Sequence, residues 1–170
     1  MPGDAVTGVS LFGKLPAHGD FVARGLAADE RDRLDAWLSA SLAGARDALG
    51  PAWEDRFDRA PPWRCVAGGS AGAICASQDA AGRRFPLLLR VAGVADAAAV
   101  CEDLLYRALG EGWTADRLAE EAAAIGEGAA DAAPRWWTEG GEGFPPAALD
   151  GDHPPTLLSA MLGAPAGVAA

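Results

Sequence analysis

The sequence contains no apolar run approaching the ~20 residues that span a bilayer, so no segment is a candidate membrane-spanning helix. Its first residues, MPGDAVTG, lack the basic start and apolar middle of a secretory signal, and a cytoplasmic location is expected. Cysteine is scarce. Cys65, Cys75 and Cys101 are odd in number, widely spaced and without a CxxC pair, which suits a reducing compartment and a role as small buried hydrophobes. Histidine is scarcer still, limited to His18 and His153, and neither stands in a metal-ligand pattern, so no metal or cofactor is expected. Positive charge is also short: 14 Lys and Arg face 24 Asp and Glu, for a net charge of −10. A field of that sign repels phosphate backbones and anionic lipids, which argues against nucleic acid and membrane surfaces as partners. No fixed-period repeat is visible.

What is present suffices for one ordinary domain. At 170 residues the chain can bury about two-thirds of the surface it exposes when unfolded. Hydrophobic residues make up 50% of it and six tryptophans supply large apolar bodies, although many alanines inflate that share. Residues 1–163 are expected to form one domain, with a frayed tail over 164–170. The stretch from Gly126 to Ala133 is the nearest thing to a linker, and it is too short to separate domains.

Pattern places the elements. Gly8 to Gly13 (GVSLFG) reads as a strand, which Pro16 and Gly19 then turn into a loop. From Asp29, a candidate N-cap, residues Leu34, Trp37, Leu38, Leu42, Ala45 and Leu49 form a helical stripe that Gly50-Pro51 ends. A short helical turn is expected around Trp53 and Phe57. WRCVA and AICAS predict a hairpin whose turn contains Gly68, Gly69 and Ser70, and Arg83 to Val91 a third strand whose Pro86 points to an edge or bulge. Asp96 can cap a helix carrying Val100, Leu104, Leu105 and Leu109 inward, and a second helix begins near Thr114 with Leu118, Ala122 and Ile125 inward. Trp136 and Trp137 sit in a short strand-like piece, and Leu157 to Leu162 can form a last helical turn. The order predicts a mixed α+β fold, with a central, mainly antiparallel sheet flanked by helices.

The catalytic patterns fail in turn. GVSLFGKL, Gly8 to Leu15, has the glycine and lysine spacing of a phosphate loop, but Leu15 replaces the hydroxyl that would bind magnesium. GGSAG, Gly68 to Gly72, fits the nucleophile elbow of a serine hydrolase, with Ser70 as nucleophile and His153 downstream, yet a strand and turn follow where the elbow needs a helix. His18 and Asp20 could serve as two metal ligands, and two do not make a site. The acidic second half reads as a solvated face. Lys14, His18, Arg24 and Arg31 form one local basic cluster on an acidic chain, and the Phe12 to Arg31 region is the best candidate contact surface.

FGKLPAHGDFVARGL, DAWLSASLAGAR, PPWRC, GRRFPLLL and the later WWTEGG, in this order and spacing, resemble the TagF family of bacterial type VI secretion accessory proteins, also called the ImpM family. The resemblance implies a mixed α/β domain and a cytoplasmic regulator that represses type VI secretion after translation. Such a protein binds a component of the apparatus, with a forkhead-associated scaffold protein as the implied partner, and turns over no substrate. It also implies a functional link to a serine/threonine phosphatase and a kinase, which here would be separate polypeptides. Gly13, Lys14, Leu15, Pro16, Gly19, Asp20 and Phe21 stand on the family's first motif, and Arg83, Phe85 and Pro86 on its later one. Physically, Gly13 and Gly19 permit tight backbone, Pro16 stiffens the loop, Phe21 anchors it and Asp20 accepts amide hydrogen bonds. Lys14, His18 and Arg24 are then the expected partner contacts, with Asp20 beside them. The alternatives are a structural subunit of the apparatus and a small hydrolase using Ser70.

Overall fold

Two sets of apolar side chains on opposite faces of one sheet organise this chain. The computed structural model describes residues 8–67, 69–92, 96–125 and 133–164, so the expected frayed tail beyond Ala164 and nearly all of the linker-like stretch fall outside the described residues. The strands are β1 (Val9–Gly13), β2 (Val22–Arg24), β3 (Trp63–Ala67), β4 (Ser70–Cys75), β5 (Leu87–Ala92), β6 (Arg135–Thr138) and β7 (Ala147–Asp150). They form a seven-stranded sheet in the order β2-β1-β5-β4-β3-β6-β7. Every pairing is antiparallel. The helices are α1 (Ala28–Leu49), α2 (Trp53–Arg59), α3 (Ala97–Glu111), α4 (Ala115–Ala123) and α5 (Leu157–Leu162), with a 3-10 turn at Gly50–Ala52. The fold is the expected mixed α+β type.

Period-two alternation divides the core. Val9, Leu11, Leu87, Leu89 and Val91 face α3 and α4, with Leu104, Leu105, Trp113 and Leu118 packed on them. Phe12, Trp63, Ile74, Leu88 and Trp136 face the other way, onto Leu34, Leu38, Leu42, Phe57 and the α5 residues Leu157, Leu158, Met161 and Leu162. Both faces are covered, so the central β5 reads as an apolar run broken only at Arg90 rather than as an alternation. Full burial of each such side chain contributes about 1.5–3 kcal/mol. The three cysteines are free and buried within these layers, and burial pushes each thiol up to about 12, which makes them inert packing groups.

Several local expectations are corrected. Asp29 is not the N-cap of α1: the helix starts after Ala27, whose amide donates to the Glu30 carboxylate at 2.9 Å, and Asp29 instead pairs with Arg33 in the first turns. Pro86 does not mark an edge, because β5 lies inside the sheet and begins at Leu87, one residue after the proline. The hairpin strand begins at Ser70 rather than Ala73, while Gly68 lies outside the described residues. Val100 does not point inward. It is 43% exposed because Ala97, Ala98, Cys101 and Ala108 supply the small face that lets α3 lie close against the sheet. The short outer strands β2 and β7 add one strand at each edge beyond those expected.

Candidate functional site

The loop between β1 and β2 is built around Lys14, the single lysine of the sequence, which is buried. Its ammonium lies 3.3 Å from the carboxylate of the buried Asp79 and 4.8 Å from the centre of the Phe21 ring. Its carbonyl accepts from the Ser77 hydroxyl at 2.7 Å. Asp79 also accepts from the Ala81 and Arg83 amides and from the Arg83 guanidinium at 2.8 Å. Burial alone would raise the Asp79 carboxyl. The Arg83 amide, the Lys14 ammonium and the Ala81 amide outweigh it and hold the group at about 2. Asp79 is thus the hub that joins the β1–β2 loop to the segment preceding β5.

Further contacts draw the same two segments together. Arg83 donates to the Gly19 carbonyl at 2.8 Å and the Ala80 amide to the His18 carbonyl at 2.7 Å. Gly13, at φ 141°, touches the backbone ahead of β5 so closely that a Cβ there would stand 2.1 Å from the Pro86 carbonyl oxygen. Phe21 packs edge-on against Phe85 at 4.9 Å and stacks with Phe12 at 5.8 Å. The FGKLPAHGDF and GRRFP blocks, far apart in sequence, are therefore two halves of one unit.

The residues expected to meet a partner have the following places. Lys14 is enclosed as described. The Nε2 of His18 accepts from the Ala115 amide at 3.0 Å, at the first residue of α4, which makes the ring a clamp between the loop and that helix. Arg24 donates to Asp116 on the same helix turn at 2.7 Å and to the Ala23 carbonyl at 2.8 Å, and this contact holds the Asp116 carboxyl below its ordinary range. Asp20 accepts from the Phe21 amide at 2.7 Å and stays exposed. Arg31 is exposed beside Asp32 at 3.6 Å. Of the expected basic cluster, Lys14, Arg24 and Arg31 are thus paired with Asp79, Asp116 and Asp32, and His18 with the Ala115 amide.

The exposed apolar group of this region is Phe21, at 42%. It borders a groove of about 390 Å³ lined by Phe12, Asp20, Val22, Ala23, Arg31, Asp32 and Asp35, so an aromatic wall faces three carboxylates and one guanidinium. Sequence reasoning assigned Phe21 to anchoring and the cations to contact. The signal that could have reversed this is charge balance, since Asp79 and Asp116 lie in sequence segments with no other evident need for a carboxylate. At the alternative catalytic serine, the Ser70 hydroxyl donates to the Ala67 carbonyl at 2.9 Å across the hairpin turn, and strand β4, not a helix, follows it. His153 packs its ring on Trp37 at 4.6 Å.

Among the described residues no helix is long and apolar enough to cross a membrane. The sequence model of the TagF N-terminal domain, type VI secretion system-associated, matches residues 10–125, which contain the loop, the groove and α4. No curated protein matches the chain. Among solved structures, that of PA0076 from Pseudomonas aeruginosa PAO1 aligns with a TM-score of 0.62 and 24% identity, covering 91% of this chain and 93% of that one. At that identity the likeness is one of fold.

Proposed function

The chain belongs to the TagF N-terminal domain family, type VI secretion system-associated, and on that premise we propose that it is a cytoplasmic regulator that represses type VI secretion after translation. It works by binding a component of the apparatus, a forkhead-associated scaffold protein being the partner this reading favours, and it has no turnover. The family match over residues 10–125 is the observation that carries the proposal. The groove beside Phe21 supplies the contact: an exposed aromatic with acidic neighbours suits a partner that presents an arginine or lysine among apolar residues. Asp20 lines that contact, while Lys14, His18 and Arg24 fix the shape of the loop that presents it.

Phe21→Ala tests the contact. Because the ring is already half exposed, the change costs the fold only about 1 kcal/mol. A hot-spot aromatic is worth about 2 kcal/mol or more in binding, so partner affinity in a pull-down or titration with the purified apparatus component should fall about thirtyfold or more. Unchanged affinity with an intact circular dichroism spectrum would remove the groove from the account. A structural subunit of the apparatus is the second reading, and the sign of the deletion phenotype separates it from repression.

A further inference from the structure

Arginines in this acidic protein are almost all matched. Among the described residues each has an ion pair, a hydrogen bond or an aromatic ring beneath it, as Arg46 has over Trp53 at 4.7 Å and Arg135 over Trp137 at 4.9 Å. Arg90 is the exception, half-buried in β5 with none of these. Its backbone stands opposite Gly72 in β4, where a Cβ would come within 2.7 Å of the Arg90 Cγ, so the glycine leaves room for the arginine stem against the sheet. Arg90 lines a cleft of about 50 Å³ whose other walls are Leu26, Glu30, Arg33, Leu34 and His153. The carboxylates nearest the start of α1 are engaged: Glu30 with the Ala27 amide and Asp29 with Arg33 at 3.2 Å.

We infer that this cleft is an anion-binding site, in which Arg90, helped by Arg33 and His153, receives one carboxylate or one tetrahedral oxyanion. The cleft is small and open to solvent, which suits a single small anionic group. An unpaired guanidinium presents parallel N–H donors that match both ligand types in two-point contact. The field agrees with the geometry: burial first, then Arg90 and Arg33, depress the His153 imidazole, and Asp152 only partly opposes them. An anion seated there offsets those two cations and must raise the His153 titration midpoint. The site stands apart from the Phe21 groove and does not depend on the proposed regulation.

The test follows the His153 ring protons by NMR through a pH titration of the whole protein, assigned with His153→Phe. Sodium sulfate, sodium acetate and sodium chloride are compared at equal ionic strength. Sulfate, acetate or both should move the His153 midpoint upward and saturate; sulfate alone assigns the site to an oxyanion, acetate alone to a carboxylate. Arg90→Gln should weaken that binding about tenfold or more, the effect of losing a charge-assisted contact, with the circular dichroism spectrum unchanged. Arg33→Gln, on an exposed helical turn, should weaken it severalfold and decides the matter if Arg90→Gln does not fold. No shift beyond that of chloride, or affinity unchanged in the folded variant, would overturn the inference.

Discussion

Single residues in the β1–β2 loop changed places between expectation and structure. Lys14, His18 and Arg24 looked like surface cations because each stands alone in sequence, but their carboxylate and amide partners lie 65, 97 and 92 residues away, at Asp79, Ala115 and Asp116. Long-range pairing of this kind leaves no local periodicity, which is why the loop's identity was legible and its inward-facing charges were not. Asp79 yields a prediction with a definite sign. Its folded carboxyl sits at about 2 against an ordinary 3.8, so the stabilisation is complete above about pH 4 and drains away as the pH falls towards 2. Urea midpoints of the parent and Asp79→Asn should therefore differ most near neutrality and converge across that acid window. A gap that stays constant down to pH 2 would show that the Asp79 charge does not support the fold.

At the scale of elements, the long amphipathic helix α1 and the apolar strands β1, β3 and β5 were readable because one residue type repeats at one period. β2 and β7 were not, since strands of three and four residues carry too few side chains to set a period and are specified by the neighbours they pair with. The face of α3 was misjudged at Val100 because the inward side is lined by alanine and cysteine, where hydrophobic size is a poor guide and closeness to β4 decides. Helix α4 has its start fixed from outside as well as within: the Thr114 hydroxyl accepts from the Arg117 amide at 3.1 Å, and His18 takes the Ala115 amide. Thr114→Ala should cost about 1 kcal/mol. Amide exchange should quicken in the first turn of α4 and spread to the loop around His18, because the two are clamped together. Quickening confined to the far end of α4 would mean that the clamp is not the link.

For the whole molecule, one sheet serves two cores, and neither helical layer can bury its apolar face without it. Unfolding should therefore be a single cooperative event despite the two clusters. Trp63 and Trp136 report on the α1 side and Trp113 on the α3 side, so tryptophan fluorescence and far-ultraviolet circular dichroism should trace coincident urea transitions. Two separated midpoints would contradict a shared sheet. The net charge of −10 fits a protein whose contacts are with cationic or apolar protein surfaces, and the family match places it with the type VI secretion system. Two of the five sequence blocks that carry the family resemblance, FGKLPAHGDF and GRRFP, prove to be one folded unit on the side of the sheet edge that presents Phe21. The most direct test of the central claim is the amount of type VI substrate secreted by a strain lacking this gene but otherwise holding an active apparatus. Repression predicts a rise over the parent strain, reversed by the intact gene and not by one carrying Phe21→Ala; an unchanged or lowered amount would contradict it.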